Sequence, residues 1–421
     1  MSEIYLDMFI ILCLCLLARG ILGGRKVYDF PTLMTFVFIS FVLPQAVSLV
    51  DNPGIVSDSS VEKVMLMTCI CLLASWIGFN IKPSSKILKK FSYLIDDKKL
   101  FRSGIFLSAI GLLSVVLLQK IDIQIAENSN WTGPATIIYF FGNLRHIGFS
   151  ILLNLLLRKG NARNLIGALF SLIPVLYMVV VAGRRASAFM LLITIGLNLF
   201  YTKKIIPPKL LTISSVVSAA LLIPLLGAMR GDFWSLLFSG QVDKIDFFAG
   251  INRIVDSGDV LELRNAAMLI EATDVNHSFG LGAGFWNSIV FQYVPGQLLG
   301  YEFKQSLQFK DAAEANIINL YGTSFSSGST VTGMGDSYAE FGFLGCLVFV
   351  LIAYGMRHLW LSSLDYFNVY SQTLYIVLVS SALLSVTHGV GTFFQHAIAQ
   401  MLCVWIVWRY SSAYCRRGYS P

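Results

Sequence analysis

Residues 165–201 read LIGALFSLIPVLYMVVVAGRRASAFMLLITIGLNLFY, two apolar runs separated only by Gly183, Arg184 and Arg185. Apolar runs of this length cross the hydrocarbon core of a membrane as helices, because a helix satisfies its backbone hydrogen bonds internally. The three-residue gap forces the second helix to return beside the first. The stretch therefore predicts a transmembrane hairpin with two arginines at its tip.

The whole chain has a composition that agrees with this hairpin. Of its 421 residues, 56% are hydrophobic and 13% are charged, and the mean hydropathy is +0.70. Soluble domains carry about 25% charged residues. The composition excludes a soluble enzyme with a single anchor, a disordered protein, a coiled coil and a disulfide scaffold. The net charge of +7 does not indicate nucleic acid, because a membrane protein needs basic loops for its topology.

Eleven apolar runs bordered by charged residues are candidate transmembrane helices. They cover residues 4–22, 30–50, 62–81, 104–120, 134–157, 165–182, 186–201, 209–229, 337–361, 369–387 and 390–408. We therefore expect an all-α polytopic integral membrane protein with about 11 transmembrane helices and one large extracytoplasmic loop that contains short helices. The expected parts are a membrane bundle of about eight spans (1–229), the loop (230–336), and about three spans with a cytoplasmic tail (337–421).

The basic residues predict the orientation of these spans. With the N-terminus outside, 20 of the 31 Lys and Arg residues lie on the inside, as expected if basic loops stay in the cytoplasm. The C-terminus is then cytoplasmic. Basic residues on the outside need another explanation, and they include Arg184, Arg185 and Arg230.

Like charges side by side at the outer boundary, as at Arg184 and Arg185, are costly unless an anion, a carboxylate or a cavity is near. A diphosphate would satisfy both arginines, because a guanidinium group offers a planar fork of donors that suits phosphate. Snorkelling of the side chains to lipid headgroups is the alternative. Arg230 ends the eighth run, where phosphate binding and an ion pair with Asp232 are equally compatible with the sequence.

Ionisable residues also occur within the runs. Arg145 and His146 lie near the middle of the fifth run, where such residues indicate either a functional site or a structural buried pair. A cavity or a carboxylate partner is expected beside them. His388 and His396 flank the last outside turn, and the neutral imidazole of either could act as a general base or serve only the structure.

Two acidic residues, Asp336 and Glu340, open the ninth run four positions apart and hence on one helix face. A carboxylate there can neutralise an arginine or accept a proton from a substrate hydroxyl, and the sequence leaves both roles open. The glycine-rich stretch 280–285 does not follow a strand, so it predicts close backbone approach rather than nucleotide binding. Neither a phosphate-binding loop nor zinc-ligand spacing occurs, so we expect no cofactor and no metal.

Together these residues resemble the Wzy-type polymerases of O-antigen or capsular oligosaccharide repeat units. The resemblance is carried by Gly183-Arg184-Arg185, by Asn276-His277-Ser278-Phe279-Gly280 followed by Val294-Pro295-Gly296, and by Gly333 to Gly345, where an acidic residue and Phe-Gly-x-x-Gly open a span. The number of spans, the long outside loop and the few spans after it fit this family over nearly the whole length.

The resemblance implies a metal-independent glycosyltransferase that polymerises undecaprenyl-diphosphate-linked oligosaccharide repeat units at the outer face of the bacterial inner (cytoplasmic) membrane. The growing chain would be transferred to the terminal sugar hydroxyl of an incoming lipid-linked unit, and lipid diphosphate would leave. The implied partners are the lipid-linked substrate, membrane lipid, a chain-length regulator and a flippase, with no nucleic acid.

On this hypothesis, Arg184, Arg185 and Arg230 stabilise the diphosphates, and Glu340 or a histidine such as His388 orients or deprotonates the acceptor. The remaining substrate-binding candidates are Arg145, His277, Asp336 and His396.

Two other functions are compatible with the sequence. An O-antigen ligase would use the same arginines and differ only in its acceptor, the core sugar of lipid A. A transporter or flippase of the lipid-linked oligosaccharide would need a central charged cavity, for which Arg145 and His146 are the best evidence. The large loop and the lack of two matched halves argue against the transporter.

Overall fold

The computed structural model describes residues 1–85, 95–121, 124–125, 131–132, 134–214, 218, 233–241, 261–310, 312–322, 325 and 329–412. Within these residues, ten helices are long and apolar enough to cross a membrane. The chain is an all-α, multi-pass membrane protein, as the sequence predicts.

The ten membrane-length helices are α1 to α7 and α14 to α16, and the shorter helices α8 to α13 lie between the two groups. In chain order they are α1 (Ser2–Leu22), α2 (Phe30–Asp51), α3 (Asp58–Asn80), α4 (Asp97–Leu118), α5 (Pro134–Lys159), α6 (Ala162–Val181), α7 (Arg185–Lys203), α8 (Phe233–Phe238), α9 (Leu261–Asn276), α10 (Ala283–Tyr293), α11 (Gly296–Leu299), α12 (Tyr301–Ser306), α13 (Ala312–Tyr321), α14 (Gly333–Ser363), α15 (Val369–His388) and α16 (Val390–Ser411). Two short strands, Gln124–Ile125 and Trp131–Thr132, pair antiparallel between α4 and α5.

Ten of the eleven predicted runs coincide with these helices. Most of the run predicted at 209–229, and Arg230 with it, lies outside the described residues. We call the end of the bundle that carries the α6–α7 turn at Gly183 and helices α9 to α13 the loop face. The opposite end, which carries the α5–α6 turn at Gly160, is the tail face.

Local capping fixes the turns of the tail face. Gly160 ends α5 with a φ of +58°, and the side chain of Asn161 accepts a hydrogen bond from Asn164 N at 2.9 Å to begin α6. A glycine after a helix and an asparagine before the next one are the residues that satisfy the free backbone groups at these positions. The result is a two-residue connection that sets α5 and α6 antiparallel.

Glycines bring the membrane helices into close contact. A Cβ at Gly78 of α3 would lie less than 3.0 Å from the backbone of Val350 in α14, and one at Gly111 of α4 would lie equally close to Arg145 in α5. Small residues at helix interfaces allow this approach, and the resulting packing stabilises helix pairs in lipid. The α4–α5 contact therefore positions Arg145.

Helix α9 is fixed to the loop face by its carboxylates. Asp274 forms an ion pair with Lys63 of α3 at 2.5 Å and accepts a hydrogen bond from the hydroxyl of Tyr338 in α14 at 3.0 Å. Glu271 accepts one from Tyr321 of α13 at 2.6 Å. Burial and this carboxylate raise the pKa of Tyr321, so its hydroxyl remains a donor. The described part of the predicted loop is thus packed onto the bundle.

Candidate functional site

The α6–α7 turn presents Arg184 at the loop face. The last turn of α6, Tyr177–Val181, is a π-helix, and Gly183 follows with a φ of +56°. The backbone N–H of Arg184 donates to Met178 O at 2.9 Å across this turn. Because a residue with a Cβ is strained at positive φ, glycine at position 183 permits the tight turn.

The hairpin is longer than its apolar runs indicate. Helix α7 includes Arg185 and continues to Lys203, so it has 19 residues, and α6 has 20. At about 1.5 Å per residue these helices span about 28 and 30 Å, close to the thickness of the hydrocarbon core. Each helix is therefore long enough to cross that core, and we expect the tip at its edge.

A row of basic side chains leads from this turn into the bundle. The guanidinium groups of Arg184 and Arg145 lie within electrostatic range of each other. His146 lies within electrostatic range of Arg145 and of His396, and His396 lies within range of His388. We call these five residues the basic row. The structure thus links Arg184, the pair Arg145 and His146, and the pair His388 and His396, which the sequence offered as three separate groups.

Arg145 is the most buried arginine of the row, with 2% of its surface exposed. Helix α5 is interrupted at Asn143, and the carbonyl oxygen of Gly142 there accepts a hydrogen bond from Arg145 Nη1 at 2.6 Å. The Nε of Arg145 is buried and has no hydrogen-bond partner among the described residues. A buried guanidinium with an unsatisfied donor beside a second guanidinium is costly unless an anion compensates it.

No described carboxylate forms an ion pair with Arg145 or Arg184. The ion pairs within 4.0 Å among the described residues are Met1–Glu62, Arg19–Asp29, Lys63–Asp274 and Lys159–Asp97. Arg185, beside the row, is attracted by Glu262 of α9, and its Nε is buried without a described hydrogen-bond partner. The predicted carboxylate partner of Arg145 is therefore not found in the part of the chain that the structure describes.

Arg158 at the tail face shows a different arrangement. Its Nε donates to Asn154 Oδ1 at 2.6 Å, and its Nη2 donates to Gln372 Oε1 at 2.8 Å and to Tyr366 O. Asn154 is held in turn by Asn198 Oδ1 at 3.0 Å. The chain thus surrounds Arg158 with acceptors, in contrast to Arg145.

A cavity of about 30 Å³ lies between α5, α7, α15 and α16, and two members of the basic row, His146 and His396, line it. Its polar lining residues are Asn143, His146, Thr194, Ser380, His396 and Gln400. The Nδ1 atoms of both histidines are buried without a described hydrogen-bond partner. A cavity of this size has room for ordered water. The sequence predicted a cavity or a carboxylate beside Arg145 and His146, and the structure has a cavity lined by His146.

Asp336 lies at the loop face, where its carboxylate contacts the start of α16. Its Oδ2 accepts a hydrogen bond from Gly391 N at 2.9 Å, in the first turn of α16. A Cβ on Gly389 would lie less than 3.0 Å from the same oxygen. Asp336 therefore caps α16, next to His388 of the basic row.

Glu340 caps a second helix. Its Oε2 accepts from Gly282 N at 2.6 Å and its Oε1 accepts from Gly284 N at 3.0 Å, where α10 begins. The side chain is 5% exposed. The close backbone approach predicted for 280–285 is thus an approach to the Glu340 carboxylate.

The two other histidine candidates lie exposed at helix ends of the loop face, His277 apart from the basic row and His388 as its last member. His277 is exposed at the end of α9 with a φ of +49°. His388 is exposed at the end of α15, and its Nδ1 makes a hydrogen bond with the hydroxyl of Thr387. Arg230 cannot be placed because it falls outside the described residues.

The sequence did not single out Glu262, nor the polar residues Thr194, Ser380 and Gln400 that line the cavity. A signal for the lining was present, because polar residues within apolar runs often face a bundle interior. Glu262 carried no comparable signal, since its approach to Arg185 depends on how α9 folds back over the bundle.

Comparisons with known proteins leave the family open: no family model matches the chain, and neither the curated proteins nor the solved structures contain a match. The geometry of the basic row is therefore the basis for a functional proposal.

Proposed function

We propose that this protein polymerises undecaprenyl-diphosphate-linked oligosaccharide repeat units at the outer face of the bacterial inner membrane, in the manner of Wzy-type polymerases. The N-terminus and the loop face would then be periplasmic, and the tail face and the C-terminus cytoplasmic. The proposal agrees with the basic residues near the tail face, among them Arg158, Lys159 and Lys203.

The observation that carries the proposal is the pair Arg145 and Arg184. Both guanidinium groups lie at the loop-face side of the membrane bundle within electrostatic range of each other, and no described carboxylate forms an ion pair with either. A diphosphate supplies two negative groups and several acceptor oxygens, so it suits two guanidinium groups. A lipid carrier delivers such a diphosphate at the level of the α6–α7 turn.

The proposed reaction breaks the bond between the anomeric carbon of the growing chain and a diphosphate oxygen. The terminal hydroxyl oxygen of the incoming unit bonds to that carbon, and the hydroxyl proton passes to a base. Arg184, Arg145 and Arg185 would stabilise the negative charge that develops on the departing diphosphate. His388 is the proposed base, because it is exposed at the loop face and neutral imidazole accepts protons near pH 7. His396 would support it from within the row.

The ligase and the transporter are the competing functions, and a single experiment distinguishes them. Surface polysaccharide from a strain that lacks this gene is separated on a gel, and lipid-linked intermediates are extracted beside it. The polymerase predicts single repeat units attached to the core, restored to long chains by the wild-type gene. Full-length polymer held on its lipid carrier outside would indicate the ligase, and single units trapped on the cytoplasmic leaflet would indicate the transporter. Either result contradicts the proposal.

A further inference from the structure

The first turns of α14 hold two other helices in place. Asp336 accepts a backbone N–H from the start of α16, and Glu340, four residues later, accepts two from the start of α10. Carboxylates stabilise helix N-termini because they satisfy free N–H groups and face the positive end of the helix dipole. One short segment thus fixes the starting points of two helices that are far apart in sequence.

The glycines around Glu340 leave little room for the carboxylate to move. A Cβ at Gly280 or Gly284 would lie less than 3.0 Å from its oxygens. The backbone adds two further hydrogen bonds, from Gly280 N to Ala339 O at 3.0 Å and from Leu281 N to Glu340 O at 2.9 Å. The glycine-rich loop is therefore bound to α14 by both its backbone and this side chain.

Helix α10 is bound in turn to α16, the helix that carries His396. The rings of Phe285 and Phe394 lie 5.5 Å apart. The hydroxyl of Tyr293 donates to Gln395 O and accepts from Ala399 N, both at 2.7 Å. The Tyr293 hydroxyl therefore bridges two backbone groups that lie one helical turn apart in α16.

The Tyr293 hydroxyl must keep its proton to donate to Gln395 O. Burial raises the pKa of Tyr293, so the hydroxyl stays protonated and can donate and accept at once. His396 directly follows Gln395, so the local shape of α16 at Tyr293 sets where its imidazole lies.

We propose that Glu340 is a positioning residue, which holds α10 through Gly282 and Gly284 and, through Tyr293, fixes His396 in the basic row. This inference rests on the proposed function for its effect on polymerisation, but the link itself can be measured without it. It departs from the sequence hypothesis in which Glu340 deprotonates the acceptor, because its two oxygens already accept backbone N–H groups.

The test compares Glu340→Gln, Glu340→Ala and Tyr293→Phe in purified protein, with kcat and KM for a lipid-linked repeat unit. Gln keeps one acceptor oxygen and cannot act as a base, so we expect Glu340→Gln to retain activity within about tenfold of wild type, mainly as a fall in kcat. Glu340→Ala loses both hydrogen bonds and should fall by about 100-fold. Tyr293→Phe should also lower kcat, although it removes no group from the basic row.

Amide hydrogen exchange of the same variants measures the link directly. We expect faster exchange in 280–293 for Glu340→Ala, a smaller change for Glu340→Gln, and a change confined to 390–400 for Tyr293→Phe. Glu340→Gln as inactive as Glu340→Ala, with exchange like wild type, would overturn the proposal and identify a reacting carboxylate. Unchanged kcat and exchange in Tyr293→Phe would overturn the connection to His396. If wild-type protein shows no transfer, the proposed function fails, while the exchange data still decide whether Glu340 holds α10.

Discussion

Arg184 is the residue of the basic row that a diphosphate at the loop face would meet first. We predict that Arg184→Ala lowers kcat for polymerisation by roughly 100- to 1,000-fold, the usual effect of removing one charge-stabilising donor. Protein level and helix content should stay normal, because no described side chain depends on it for an ion pair. The assay is the length distribution of polysaccharide at matched protein levels.

The control for Arg184 is another arginine of the loop face. Arg264 of α9 donates to Asn52 O at 3.1 Å and lies outside the basic row. Arg264→Ala should leave chain length close to wild type. Long chains from Arg184→Ala, or equal losses in both variants, would contradict a specific role for Arg184.

Arg145 and Arg158 give opposite predictions for stability. Arg145→Met removes a buried charge with an unsatisfied Nε, so the thermal midpoint of unfolding should stay unchanged or rise while polymerisation is lost. Arg158→Met removes the donor to Asn154 Oδ1 and the shorter of two hydrogen bonds to Gln372 Oε1, so it should lower the free energy of unfolding by about 1–3 kcal/mol. Thermal unfolding in detergent measures both. A lower midpoint for Arg145→Met would show that the arginine is structural.

The sequence indicated which arginines belong to the candidate site, but it did not indicate which groups the carboxylates contact. A charged residue within an apolar run is conspicuous at any depth, so Arg145 and Arg184 could be chosen from one-dimensional information. Glu340 also stood out, but its partners lie 58 and 56 positions away in a loop. Their approach depends on tertiary folding that no local pattern encodes.

At the scale of helices, the close contacts between membrane helices at glycine residues can be tested by substitution. Gly78 of α3 lies against the backbone of Val350, so Gly78→Ala should force the two helices apart and cost about 1–3 kcal/mol. Gly355 of α14 has open space where a Cβ would be added. Gly355→Ala should therefore be neutral or stabilising by up to about 1 kcal/mol. Equal thermal midpoints for the two variants would contradict the α3–α14 contact.

The helices themselves were largely predictable, because lipid requires long apolar segments with internally satisfied backbones. Their ends were less so, as α7 shows. Its first and last residues, Arg185 and Lys203, are charged and lie outside the apolar run at 186–201. The backbone nevertheless continues as helix through both. Charge marks the limit of the hydrocarbon core better than the limit of a helix.

For the whole molecule, the two faces of the bundle use polar residues differently. The tail face surrounds Arg158 with side-chain and backbone acceptors. The loop face gathers Arg184, Arg145 and three histidines, and no described carboxylate forms an ion pair with either arginine. This asymmetry favours an anionic ligand at the loop face. It also agrees with a single reaction side better than with alternating access from both sides.

The most direct measurement places purified protein in lipid vesicles with a synthetic polyprenyl-diphosphate-linked repeat unit and a metal chelator. Products are separated by length, and released lipid diphosphate is quantified. We predict a ladder of longer oligosaccharides with one lipid diphosphate released per bond formed, and its loss in Arg184→Ala but not in Arg264→Ala. Substrate that crosses the bilayer without elongation, or that is transferred only to an added lipid A core acceptor, would contradict the polymerase.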